Sequence, residues 1–94
     1  MFSIPFLERG GKEKAVKVLV PIADGSEEIE TCTIINVLVR GGAEVTSASV
    51  CDKLQINGSR GIKIVADKFI GDCVNEQYDL IVCPGGENDS EFNY

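Results

Sequence analysis

Two short stretches hold the residues able to do chemistry. Residues 23–30, A-D-G-S-E-E-I-E, set three carboxylates (Glu27, Glu28 and Glu30) directly after a β-branched run. Residues 83–86, C-P-G-G, follow a second apolar run. Glycines let the backbone turn tightly and present bare N–H groups. Such donors, aimed at a developing oxyanion, are a large catalytic term. Gly85 and Gly86 are therefore candidates for an oxyanion turn, against the plain alternative of a turn that ends a strand. Glu30 falls one turn inside the helix predicted after Ser26. A carboxyl group packed against apolar residues holds a proton more readily than one in water. The plain alternative is a solvated acid on a helix surface.

Other chemistries fail on these residues. A dinucleotide site needs Gly-x-Gly-x-x-Gly after the first strand; the loop here has one glycine, and its carboxylates repel a pyrophosphate. A phospho-receiver domain needs an Asp ending the third strand, where this chain has Cys83 and Pro84. The four cysteines, Cys32, Cys51, Cys73 and Cys83, match no zinc or redox spacing, and the chain has no histidine to complete a mixed metal site. Each sits in or beside an apolar segment and reads as a reduced, buried thiol. A reducing compartment follows, cytoplasmic with an organellar one as alternative.

The elements that must position these residues read clearly. Residues 15–22 (A-V-K-V-L-V-P-I) form a buried strand. Ser26 suits a helix N-cap, with Glu27 and Glu28 favourable in the first turn. Ile29, Cys32, Ile34, Ile35, Val37 and Leu38 cover one broad helical face, and Gly41 and Gly42 stop the helix. Residues 43–50 are a second strand, which completes a right-handed βαβ unit. Residues 54–56 and 62–65 read as short strands around a polar turn, an arm that carries Arg60. Residues 69–74 read as a short helix. Residues 78–83 are a third core strand, apolar enough for cover on both faces. The order predicts an α/β fold: a flavodoxin-like, doubly wound parallel sheet. Ligands of such sheets bind beyond the carboxyl ends of the strands, where strand order reverses. The two chemical stretches converge there.

The bulk properties set limits. Ninety-four residues make one small domain, and a hydrophobic fraction of 44% with 26% charged residues is ordinary for a folded one. The net charge of −6, with no Lys/Arg stripe, argues against nucleic acid as a partner. No apolar run approaches the roughly 20 residues that cross a membrane. Residues 1–14 read as a flexible leader.

Taken together, V-L-V-P-I-A-D-G-S-E-E-I-E-T, V-L-V-R-G-G-A-E-V-T-S-A-S-V, G-I-K-I-V-A-D and Y-D-L-I-V-C-P-G-G resemble the amino-terminal half of the DJ-1/ThiJ/PfpI superfamily, which has a glutamine-amidotransferase-like fold. The resemblance runs from about Val16 to Gly86 and makes residues 15–94 half of such a domain. It implies that Glu30 is the glutamate whose carboxyl hydrogen-bonds the reactive cysteine and tunes its thiolate. Gly86 contributes an N–H to the oxyanion region, and Gly85 shapes the turn. Arg60 aligns with an arginine that approaches the partner subunit's site in a dimer; its plain alternative is a solvated turn arginine. The family's nucleophile lies on an elbow downstream of the Pro-Gly-Gly turn, and its active-site histidine is absent here. The chain therefore reads as a fragment, truncated after the third core strand, with an apolar, unpaired strand edge.

The resemblance implies, for the complete protein, a homodimeric, cofactor-independent glyoxalase or deglycase acting on small reactive carbonyls in oxidative or carbonyl stress. This chain alone is expected to be inactive. The alternatives are a non-catalytic stress-response or chaperone-like protein of the same fold, and a generic flavodoxin-like binding domain.

Overall fold

The computed structural model describes residues 15–85; the leader reading at 1–14 and the Gly86 assignment lie outside them. The elements run β1 (Lys17–Ile22), α1 (Glu28–Arg40), β2 (Glu44–Ser49), β3 (Gln55–Asn57), β4 (Lys63–Val65), β5 (Lys68–Phe69), a 3-10 turn (Ile70–Cys73) and β6 (Leu80–Ile81). Four strands form a parallel sheet in the order β5-β2-β1-β6, and β3 and β4 pair antiparallel as a separate arm. The order reverses at β1, as the α/β reading requires.

β1 is buried on both faces because α1 and the arm cover one side and the 3-10 turn the other. Val18, Val20 and Ile22 pack with Ile35, Leu38 and Ile56, while Leu19 meets Ala48, Cys73, Ile70 and Tyr78. This explains its near-continuous apolar sequence. Gly42 takes a φ of 97° just beyond α1, a conformation glycine adopts without a steric cost.

Several expectations are corrected. The helix is capped by Glu27, whose carboxylate accepts the Ile29 N–H at 2.7 Å; Ser26 is fully buried, and its hydroxyl accepts the Ala23 N–H at 3.0 Å. The broad apolar face of α1 is only partly used. The stripe turned inward is Glu28, Thr31, Ile35 and Leu38, whereas Ile29 is 76% exposed and Cys32 is exposed. Those four recur at steps of three and four, the period of one helix face.

The short helix read at residues 69–74 is a 3-10 turn over Ile70–Cys73, and before it β5 pairs with β2 through Ala48↔Lys68 and Ser49↔Phe69. β6 is shorter than residues 78–83, and Leu80 and Ile81 are exposed, since β1 is its only strand neighbour among the described residues. Its length has a local cause. Leu19 faces β6, since its carbonyl accepts the Val82 N–H at 2.9 Å. Strand groups alternate sides, so the next N–H aimed at β6 belongs to residue 21, a proline, which has none. The ladder stops there and the chain leaves the sheet at Cys83.

That departure also corrects the cysteine reading. Cys83 is exposed, Cys51 half-buried and only Cys73 buried; all four thiols are free. No helix of the described residues is long and apolar enough to cross a membrane.

Candidate active site

The loop after β1 and the segment after β6 meet at the carboxyl end of the sheet. Gly25, with φ 93°, lets the first loop reverse direction, and its N–H donates to the Asn57 carbonyl at 2.8 Å. α1 then starts with its first turn facing both the arm and the Pro-Gly segment.

Gly85 is held at two points. Its carbonyl accepts the Glu27 N–H at 2.8 Å, and its own N–H donates to the Glu30 carboxylate. Pro84 is fully buried beneath it. The fit is close, since a Cβ on Gly85 would come within 2.9 Å of Glu30 Oε1. Glu30 is itself exposed, so apolar packing is not what surrounds it here. It borders a shallow depression of about 430 Å³ lined by Glu27, Ile29, Glu30, Thr33 and Ile34. The structure thus brings Glu30 and Gly85 together. The Gly85 N–H is engaged by that carboxylate.

Arg60 sits on the β3–β4 turn with an exposed side chain, and its backbone N–H binds Glu28. Glu28 was not singled out by its sequence. It is 3% exposed, and its carboxylate accepts the N–H groups of Arg60 at 2.7 Å and Ile62 at 3.0 Å and the Ser59 hydroxyl at 3.1 Å. Burial pushes this carboxyl up; hydrogen bonds from the N–H groups of Glu28, Ile62 and Arg60 and from Ser59 outweigh it. The balance holds Glu28 below the ordinary value of 4.5. Its partners lie more than thirty residues away, beyond the reach of local pattern. The available signal was its place on the same stripe as Ile35 and Leu38. Among the described residues no group of three or more His, Cys, Asp or Glu side chains is placed to hold a metal.

Comparison with known proteins matches this arrangement to one family model, that of the DJ-1/PfpI family, over residues 16–93. The chain belongs to the DJ-1/PfpI family. Among DJ-1/PfpI relatives, it is 47% identical over 70 residues to Protein DJ-1 homolog B of Arabidopsis thaliana, covering 74% of this chain and 16% of that protein. It is 35% identical over 80 residues to the glutathione-independent glyoxalase DJR-1.2 of Caenorhabditis elegans, covering 85% of this chain and 42% of that protein. Of solved structures, oxidized Toxoplasma gondii DJ-1 superposes with a TM-score of 0.76 at 55% identity, over 78% of this chain and 40% of that one. Drosophila melanogaster DJ-1beta superposes with a TM-score of 0.79 at 30% identity, over 84% and 42%. The chain therefore spans less than half the length of these relatives.

Proposed function

We propose that the Glu30–Gly85 corner is one half of a cysteine-dependent site of the glyoxalase or deglycase kind, acting on small reactive carbonyls within a complete DJ-1/PfpI protein. The observation that carries this reading is the carboxylate of Glu30 bound to the Gly85 N–H where strand order reverses. The relative named as a glutathione-independent glyoxalase supports the substrate class.

In the proposed chemistry a thiolate adds to the aldehyde carbon. A C–S bond forms, and the carbonyl π electrons move to oxygen. Glu30 partners the thiol and sets its protonation, a role a positioned carboxyl performs in general acid–base catalysis. Gly85 stays tied to Glu30 and holds the turn in shape, which leaves the next N–H, that of Gly86, to meet the oxyanion. Arg60 stands at the rim, toward a second subunit of a homodimer. None of Cys32, Cys51, Cys73 and Cys83 lies on the strand-to-helix elbow that the nucleophile requires, so this chain alone is inactive in this reading. The site needs neither metal nor organic cofactor, and its setting is carbonyl or oxidative stress in the cytoplasm.

The test is a chimera in which residues 16–93 replace the matching stretch of the Caenorhabditis elegans glyoxalase. The expected result is turnover of methylglyoxal to lactate, lowered about 10²- to 10⁴-fold by Glu30→Gln. A folded chimera that turns over equally well with Gln at this position refutes the reading. A folded chimera with no turnover at all favours a non-catalytic member of the family.

A further inference from the structure

The described residues hold one buried carboxylate, Glu28, that the proposed chemistry does not use. A carboxylate at the start of a helix is ordinarily solvated. This one accepts three hydrogen bonds from a turn that contributes nothing to the helix. The turn approaches so closely that a Cβ on Gly58 would overlap the Glu28 side chain. Further contacts close the same seam: Ser59 N–H to the Ser26 carbonyl at 2.8 Å, and Asn57 N–H to Asp24 Oδ1 at 2.8 Å.

We propose that Glu28 is a positioning residue for the site: its carboxylate fixes the β3–β4 turn against the first turn of α1 and thereby sets where Arg60 stands relative to Glu30 and Gly85. The proposal rests on the reading of the Glu30–Gly85 corner as the site. The geometry supports it in three ways. The group that binds the turn and the group that binds Gly85 leave the same helix two residues apart. The Arg60 N–H itself is one of the donors, so the carboxylate acts on the residue it places. The Arg60 and Ile62 N–H groups share Oε2 and the Ser59 hydroxyl takes Oε1, so removing the carboxyl group takes the acceptor from all three donors. The charged side chains on the elements around Glu28 are Asp24 on the preceding loop, Glu27 at the N-cap, Glu30 and Arg40 on α1, Arg60 on the turn and Lys63 on β4.

The experiment uses the 94-residue chain and no enzyme assay, so its outcome is independent of whether the corner is catalytic. Amide hydrogen exchange is followed by NMR in the wild type and in Glu28→Ala. Protection at Arg60 and Ile62 is expected to fall about tenfold or more, while the Val50 amide, bound to the Ile22 carbonyl just past β2, keeps its rate. Modification by phenylglyoxal is followed in parallel by mass spectrometry. Arg60 is expected to change its rate severalfold in the variant, with Arg40 on the last turn of α1 unchanged. A merely structural role would slow or speed all of these sites together. Unchanged protection at Arg60 and Ile62, or an unchanged Arg60 rate, overturns the proposal.

Should the variant not fold, the wild-type chain decides the matter alone. The Arg60 and Ile62 amide shifts are expected to titrate together with one midpoint below 4.5. Separate midpoints, or none, overturn it.

Discussion

Glu28 and Glu30 leave the same turn of the same helix, yet they sit in opposite surroundings. Glu28 is buried, faces the arm and accepts from three donors on it; Glu30 is exposed, faces the Pro-Gly segment and meets one N–H. Each holds a glycine at close range, Gly58 in one case and Gly85 in the other. The difference teaches what each contact is for. A buried carboxylate engaged by three donors is not open to exchange protons with a ligand and serves to hold structure. An exposed carboxylate with a single partner keeps lone pairs available for chemistry.

The largest test of that contrast is Gly58→Ala. The new Cβ meets the Cγ and Cδ atoms of a buried side chain, so relief requires moving α1 or the arm. A loss of about 1–3 kcal/mol in unfolding free energy, read by urea denaturation, is expected. Gly58 is not in the positive-φ region, so the cost is one of space and not of backbone strain.

Acid comes next. Glu28 titrates lower in the folded chain than in the unfolded one, so its contribution is present above 4.5 and is lost as pH falls through the folded value. The urea midpoint should therefore drop below pH 4.5, and Glu28→Gln should flatten that slope. Glu76, lowered first by its hydrogen bond from Lys68, contributes a remainder in the same direction. If the slope is as steep in Glu28→Gln, the two carboxylates do not differ as described.

Alkali probes a third place and leaves both carboxylate contacts intact. Burial, with a hydrogen bond to Cys73, pushes the Tyr78 phenol from 10.0 up to about 12. The neutral phenol is thus favoured by folding, and its contribution is present below pH 10.0 and lost between there and about 12. Tyr78→Phe should reduce the alkaline loss seen by denaturation in that window. The smallest effect belongs to the exposed pair. In Gly85→Ala the Cβ meets only the tip of the Glu30 side chain, which can swing aside, and the cost should be about 0.5 kcal/mol or less. Glu30→Gln should leave the unfolding midpoint where it is. A loss at Gly85 equal to that at Gly58 would erase the distinction between the two glycines.

Much of this was legible in the residue order. β1, α1, β2 and the arm lie close to where apolar period and glycine stops put them, because local propensity and burial agree there. Glu30 and Gly85 were legible as neighbours because both lie on segments that leave the carboxyl ends of β1 and β6, where the switch-point rule brings such segments together. Glu28 was not, since its burial depends on a turn that docks from across the fold. β5 was missed because two residues of strand carry no period of their own. The capping role of Glu27 was hidden by the better intrinsic cap beside it, Ser26, which is drawn inward to serve Ala23 instead.

Pro21 has a consequence beyond the length of β6. Two parallel strands left to themselves close ranks to their tips, and a cleft between them would have to be wedged apart by side chains or by cargo. Here a ring in the covalent chain withholds the next stitch. β1 and β6 are therefore joined as strands only through Val18↔Leu80 and Leu19↔Ile81, and the Glu30–Gly85 contact lies beyond the last of these pairs.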